Sequence, residues 1–302
     1  MEGIAYFPGC SLKDTARPYE ASAMFVMETL GLPLVELDRW NCCGTVFSLT
    51  DDDLMHHIAS VRNFVRTKEM GSDELVALCS MCYNTLRRVA DRINADEESR
   101  TKINEFMDRE VDYEGDVAVK HLLEVLRDDI GWENVSEKVV RDFYGLRVAG
   151  YYGCTLVRPK SAAIDDSERP TILGDAMEAI GAEAVPFAFQ TECCGTYQTV
   201  DRPDLSIERS YRVIRSAREA GADVIVTACP LCQFNLEEAL AQESLQEQLG
   251  DGRPIAVVYF TEILAAALGW NPEEISESLR ELLAARVPTA QEARGVPAEG
   301  GA

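Results

Sequence analysis

Short apolar runs alternate with longer stretches of helical period along this chain, and the alternation occurs twice. Gly3 to Phe7 is a compact apolar run ending in Pro8-Gly9, which predicts a buried strand that opens straight into a loop. Tyr19 to Leu30 carries apolar residues at helical spacing and is stopped by Gly31 and Pro33. Leu34 to Leu37 predicts a second strand. Asp51-Asp52-Asp53 predicts the cap of a helix running to about Lys68, with acids at the positive end of its dipole. Glu74 to Leu78 predicts a third strand, and Cys82 the start of a helix through Arg87, Arg88 and Val89. Val117 to Leu126 predicts a short strand entering a helix, and Trp132 to Tyr144 a crossover.

The same order then returns. Strands are expected at Arg147 to Tyr151, Ala184 to Phe187, Asp223 to Thr227 and Ile255 to Tyr259; helices at Ser167 to Ile180, Ser206 to Ala220, from Cys232, and after Phe260. Repetition at this scale predicts an internal duplication. The fold class is α/β: two pseudo-symmetric lobes, each a small, mainly parallel sheet flanked by helices. The expected boundaries are 1–145 for the first domain, 146–284 for the second and 285–302 for a disordered tail of small and polar residues. Ala95 to Tyr113 is charged, helix-prone and without a counterpart of similar length in the second half. It predicts an inserted surface helix or partner face.

Each predicted site loop carries cysteine. Cys10, Cys42-Cys43-Gly44 and Cys79-x-x-Cys82 fall in the first half, and Cys154, Cys193-Cys194-Gly195 and Cys229-x-x-Cys232 in the second. Written out, the spacings are Cys-x31-Cys-Cys-x35-Cys-x2-Cys and Cys-x38-Cys-Cys-x34-Cys-x2-Cys, and they use all ten cysteines of the chain. A structural zinc takes four tetrahedral ligands. Here there are five per half, with one pair adjacent. Neighbouring cysteines chelate one small ion only with strain but can serve two metal atoms of a larger core, which favours iron-sulfur chemistry. Zinc in one half and metal-free thiol redox stay open on spacing alone.

Composition narrows the field. The chain has 302 residues and a formal net charge of −23, with basic residues that are mostly arginine and form no stripe. A nucleic-acid partner is therefore not expected. No apolar run reaches the ~18 residues of a membrane span, and Met1-Glu2-Gly3-Ile4 does not open like a signal peptide. The expected location is the cytoplasm, where Cys-x-x-Cys spacing points to metal rather than to disulfides. No Gly-x-Gly-x-x-Gly follows a strand, so neither nicotinamide nor flavin is expected on this chain.

The order lone Cys, Cys-Cys-Gly, Cys-x-x-Cys, present twice over residues 1 to 270, resembles the cysteine-rich CCG domain family, and within it the B subunits of heterodisulfide reductases. The second copy's x34 interval is one residue shorter than the family's usual spacing. The resemblance implies two noncubane 4Fe-4S clusters, one on Cys10, Cys42, Cys43, Cys79 and Cys82, the other on Cys154, Cys193, Cys194, Cys229 and Cys232. It implies reduction of a small anionic disulfide, the coenzyme M-coenzyme B heterodisulfide or an analogue. It implies as partners two further subunits of the same complex, one ferredoxin-like and one flavin-bearing. The rival reading is an electron-relay component of a lactate, glycerol-phosphate or succinate oxidation complex, with zinc in one half.

Reducing a disulfide takes two electrons and yields two thiols. A duplicated site matches a substrate whose two ends need the same treatment. Anionic arms on that substrate require local positive charge, and Lys13, Arg17, Arg158 and Lys160, which follow the first cysteine of each copy, are the candidate anchors, with solvated loop charge as the alternative. Arg87 and Arg88 lie just over one helical turn past Cys82, where the second copy has Glu237 and Glu238. His121 is the candidate proton donor, while His56-His57 is assigned to a helix surface. Thr45, Thr196 and Tyr197 are placed to hydrogen-bond cluster sulfides, and Tyr83 and Asn84, against Gln233 and Phe234, to line corresponding edges of the two sites.

Overall fold

The computed structural model describes residues 3–45, 54–242, 245, 255–270 and 276–286. The expected cap at Asp51-Asp52-Asp53 and the tail from 287 onward lie outside the described residues. Two four-stranded sheets account for the duplication. In the first, β1 (Ile4–Phe7) lies between β2 (Leu34–Glu36) and β3 (Glu74–Ala77), with β4 (Ala118–His121) beyond β3. In the second, β5 (Arg147–Tyr151) lies between β6 (Glu183–Ala184) and β7 (Val224–Thr227), with β8 (Ala256–Tyr259) beyond β7. Every pairing is parallel, and the registers correspond: Phe7 is opposite Ala77 and Tyr151 opposite Thr227. Strands with helices on both faces must be apolar throughout, and β1 and β7 are buried at all four positions.

Strand order 2-1-3-4 has one consequence for function. The chain leaves β1 toward β2 on one side and returns to β3 on the other, so the loops after β1 and β3 diverge and leave a crevice at the carboxyl end of the sheet. Cys10 and Cys79 occupy those two loops in the first lobe, Cys154 and Cys229 in the second. The adjacent cysteine pairs follow β2 and β6 and close the crevice from its third side.

The lobes pack with these crevices together. Helix Arg17–Thr29 of the first lobe lies against Phe260–Ala267 of the second. The latter is buried at every residue, because it has core on all sides. Ser22 Oγ and Thr261 Oγ1 meet at 2.7 Å in this interface, and Tyr19 stacks on Tyr259 with centroids 4.3 Å apart and planes at 4°.

Local chemistry explains where elements depart from expectation. Helix is confined to Ile172–Glu178 instead of Ser167 to Ile180. Asp166 Oδ1 accepts from the amides of Glu168 and Arg169, Asp165 Oδ2 from those of Thr171 and Ile172, and Pro170 stands between. Those side chains hold the backbone in turns that compete with the helix. The site helices begin at Ser80 and Pro230, not at the second cysteine of each motif, so Cys79 and Cys229 are N-caps and Cys82 and Cys232 lie in the first turn. Helix Glu97–Phe106 fills the insert, capped by Asp96, and its inner side is anchored by buried Ile103, Met107 and Tyr113. Helix Glu277–Arg286 runs two residues past the expected end of the second domain.

Replacing Tyr19 by alanine removes a fully buried ring from the lobe interface together with its hydroxyl bond to Leu78 O. The expected cost is about 3–5 kcal/mol of unfolding free energy, read from the urea midpoint. A change below ~1 kcal/mol means that the lobes do not depend on this contact.

Candidate functional site

All ten thiols are free. Cys43, Cys79 and Cys82 are buried in the first lobe, with Cys43 Sγ and Cys82 Sγ 3.4 Å apart; Cys10 and Cys42 are exposed. In the second lobe Cys194, Cys229 and Cys232 are buried, with Cys194 Sγ and Cys232 Sγ 3.7 Å apart, and Cys154 and Cys193 are half-buried. The two sets touch. Ser80 donates through both N and Oγ to Ala228 O across the boundary, at 3.0 and 2.8 Å, which brings the thiols of Cys79 and Cys229 close enough to shift each other's pKa.

Each glycine before the first cysteine of a set is there for clearance. Gly9 and Gly153 have φ of 69° and 62°, and a Cβ on either would stand 3.2 Å from the sulfur of Cys82 or Cys232. Backbone thus approaches sulfur as closely as a side-chain-free residue allows.

Three thiols are pulled to low pKa, each by two neighbouring thiols. Cys43 is held well below the usual thiol range by Cys42 and Cys82, Cys229 by Cys232 and Cys79, and Cys193, down to about 2, by Cys154 and Cys194. Their partners are pushed up: Cys42 and Cys82 by Cys43, Cys79 by Cys229, Cys154 and Cys194 by Cys193, and Cys232 by its bond to Cys194. Negative charge is shared over sulfur clusters rather than held on isolated thiolates. Metal loading would displace the shared protons.

Helices behind the paired cysteines brace them. Ser60 Oγ donates to Cys43 O, and Asn63 exchanges two bonds with the backbone of Asn41. In the second lobe Ser206 and Ser210 both donate to Cys194 O. Asn235 donates to Cys194 Sγ at 3.3 Å and to Thr196 Oγ1 at 3.2 Å, and Gly195 N donates to Cys193 Sγ at 3.3 Å. None of Ser60, Asn63, Ser206, Ser210 or Asn235 stands out in the sequence. Their signal is there as polar residues at core-facing positions of amphipathic helices, and it recurs in both copies.

The expected anion anchors divide. Lys13 is committed to Glu20 and Glu36, both at 2.6 Å. Arg17 is exposed and donates to Lys13 O. Arg158 binds Thr191 O, Ser167 O and Glu168, bracing the Cys154 loop against the approach to Cys193. Lys160 is exposed, with no hydrogen bond or ion pair among the described residues. Arg87 bonds Asp91 and Val119 O. Arg88, half-buried, has no hydrogen bond or ion pair among the described residues and lies within electrostatic reach of Tyr197, whose hydroxyl is pushed up to about 12 by burial and by the neighbouring Cys154 and Cys193. Arg209 packs its methylene chain beside Gly195. Thr196 Oγ1 is 3.3 Å from Cys194 Sγ, while Thr45 Oγ1 meets Thr85 Oγ1 at 3.1 Å.

One histidine is placed differently from expectation, while His121 lies at the expected strand-to-helix junction. His57 is buried, not on a helix surface, with Nε2 3.1 Å from Arg92 Nη1. His121 is wholly buried: Nδ1 accepts from Leu123 N at 3.2 Å and Nε2 lies 2.8 Å from Leu78 O. That pattern sets the neutral tautomer with the proton on Nε2. The ring caps the helix after β4, as Tyr259 does after β8.

A duplicated cysteine-rich α/β protein, with five thiols at the switch point of each sheet, is the class that this fold and site define. The chain belongs to the cysteine-rich domain family CCG, whose pattern matches residues 4–87 and 148–237. It is 30% identical over 274 residues to the 8-methylmenaquinol:fumarate reductase membrane anchor subunit of Wolinella succinogenes, covering 90% of this chain and 94% of that one. It is 28% identical to the B subunit of the ferredoxin:CoB-CoM heterodisulfide reductase of Methanosarcina mazei, over 91% of this chain and 92% of that one. A protein of Archaeoglobus profundus that is like the heterodisulfide reductase B subunit is also 28% identical, over 91% and 94%. The fold recurs in a crystal structure of a hypothetical protein from Helicobacter pylori, with a TM-score of 0.71 and 14% identity over 90% of this chain and half of that one. No helix among the described residues is long and apolar enough to cross a membrane.

Burial lowers the His121 pKa to about 4 from an ordinary 6.5. A folded-state value below the unfolded one means stability that is full above pH 6.5 and lost as pH falls toward 4. Unfolding free energies from urea titrations taken between pH 7 and 4.5 should decline by up to about 3 kcal/mol more in the parent than in a His121→Gln variant. Equal slopes would remove the histidine as the cause.

Proposed function

We propose that this chain is the disulfide-reducing component of a heterodisulfide-reductase-type complex and holds two noncubane 4Fe-4S clusters, one on each five-cysteine set. The observation that carries the reading is the meeting of two equivalent sulfur sets across the Cys79 and Cys229 contact. The donor set fits the cofactor: only sulfur ligands, five per lobe from three loops, with glycine clearance beside Cys82 and Cys232. No group of three or more His, Cys, Asp or Glu side chains among the described residues is arranged to hold a single metal ion. When bound, the clusters supply electrons one at a time; disulfide, two electrons and two protons give two thiols.

The chain's own residues supply the rest. Arg88 and Arg209, flanking the second Cys-Cys-Gly segment, are the positive charges offered to the anionic arm of the substrate, a role in which Lys13 is preoccupied by its carboxylates. Asn235 and Thr196 steady the charge on Cys194. With both nitrogens of His121 engaged, product protons come from solvent at the open sides of Cys10 and Cys42. Electrons come from a ferredoxin-like partner in the same complex, itself fed by a flavin-bearing one, and exposed Phe106 and Val111 on the insert form the proposed docking face. Phe106→Glu should weaken that complex at unchanged cluster content.

A second reading is favoured by the 30% identity to the fumarate reductase anchor: relay between a quinol-linked donor and a separate catalytic protein. The two separate in one assay. With reduced viologen as donor, the iron-loaded chain should reduce the coenzyme M-coenzyme B disulfide, and Arg88→Gln should raise KM roughly tenfold at little cost in kcat. Reducible clusters with no disulfide turnover would leave the relay reading.

A further inference from the structure

The two Cys-x-x-Cys helices match in position but not in reach. Asn84 stands two residues after Cys82, and Phe234 two after Cys232. Phe234 is 48% exposed, whereas Asn84 is 1% exposed. The Asn84 side chain crosses the lobe boundary, and its Nδ2 donates to Thr155 O at 2.7 Å and to Arg158 O at 2.8 Å. Both amide hydrogens are thereby used on the loop that carries Cys154. Thr155 is the residue after that cysteine, so the bond fixes the Thr155–Leu156 peptide, one residue beyond the thiol-bearing residue. Cys10, in the short helix Gly9–Leu12, has no such grip from the other lobe among the described residues, since Phe234 offers no donor. The exposures agree: Cys154 is half-buried and Cys10 exposed.

We propose that Asn84 is a positioning residue of the second site, contributed by the first lobe. It holds Cys154 in the ligating position, so the second five-cysteine set is complete only when the lobes are docked, while Cys10 is placed by the short helix Gly9–Leu12 of its own lobe. Hydrogen bonds from the buried Asn84 amide to two carbonyls at the lobe boundary confer this, because an amide that loses both donors leaves two acceptors without those partners. The loop part of the inference stands on geometry alone. Only its consequence for the clusters rests on the function proposed above.

Two measurements on the full-length chain test it. In the metal-free, reduced protein, Cys154 should react with iodoacetamide about tenfold faster in Asn84→Asp and Asn84→Ala than in the parent, with Cys10 unchanged, as read by peptide mass spectrometry. After reconstitution, the same variants should retain about half the parental iron and lose one of two electron paramagnetic resonance signals, and adding Cys154→Ser should cause no further loss. Parental Cys154 reactivity in both variants, equal acceleration of Cys10 and Cys154, or full iron retention would each overturn the proposal. A parent that takes up no iron sinks the cluster reading, while the Cys154 to Cys10 ratio still decides whether Asn84 is the latch.

Discussion

One carbonyl keys the two halves together. Ala228 O accepts both the amide and the hydroxyl of Ser80, and this contact sets the distance between the sulfur sets, because the residue after Ala228 and the residue before Ser80 are cysteines. Its mirror image cannot form. The position equivalent to Ser80 is Pro230, which has no N–H, and the equivalent acceptor, Leu78 O, takes the Tyr19 hydroxyl at 2.7 Å and His121 Nε2 at 2.8 Å instead. The duplication is therefore broken at the backbone itself, within one residue of Cys79 and Cys229. Tyr19 and His121 are buried where they are because a main-chain carbonyl needed partners.

From that break follows a difference in charge. The protein is acidic throughout, at −23, and its sulfur sets add further negative charge in a buried place. Around the first set the nearby lysine is neutralised, since Lys13 sits between Glu20 and Glu36. Around the second set Arg88 and Arg209 carry no ion pair among the described residues, and Asn235 donates directly to a cysteine sulfur. Charge added to the second set is consequently the better stabilised of the two. On the function proposed above, an electron entering from outside would run from first to second, toward the arginines offered to the proposed anionic substrate.

Much of this was legible in the sequence. Apolar runs gave the strands because parallel strands covered on both faces have no polar side to confuse the pattern, and the repeated cysteine order marked the loops. Where the reading slipped, the cause lay in interactions between distant residues or in side chains that overrule propensity. Asp165 and Asp166 tie the approach to the Ile172–Glu178 helix into turns that periodicity does not register. His57 looks like surface until Arg92 is brought over it. Lys13 and Arg17 follow a cysteine as well as Arg88 does, yet only folding reveals that Lys13 is already paired and that Arg88 is not. Pairing across the lobes, Asn84 to Thr155 or Ser22 to Thr261, is invisible to any local pattern.

The disulfide proposed above as substrate has two like sulfurs, which is a reason for a protein to keep two like sites. Its reduction nevertheless has a direction, since electrons arrive on one side and leave as thiols on the other, and strict two-fold symmetry would give no preference between the sites. The switch-point geometry resolves the conflict. The sheets, the ten sulfurs and the glycine clearances preserve the symmetry, because they are set by strand order and by the size of what the thiols surround. Asymmetry is carried by residues just outside the sulfurs: Ser80 against Pro230, Asn84 against Phe234, His121 against Tyr259. Each pair occupies matching positions, and each difference changes a hydrogen bond without moving a strand. Divergence confined to that layer lets one scaffold make two sulfur sets of the same shape and unequal surroundings.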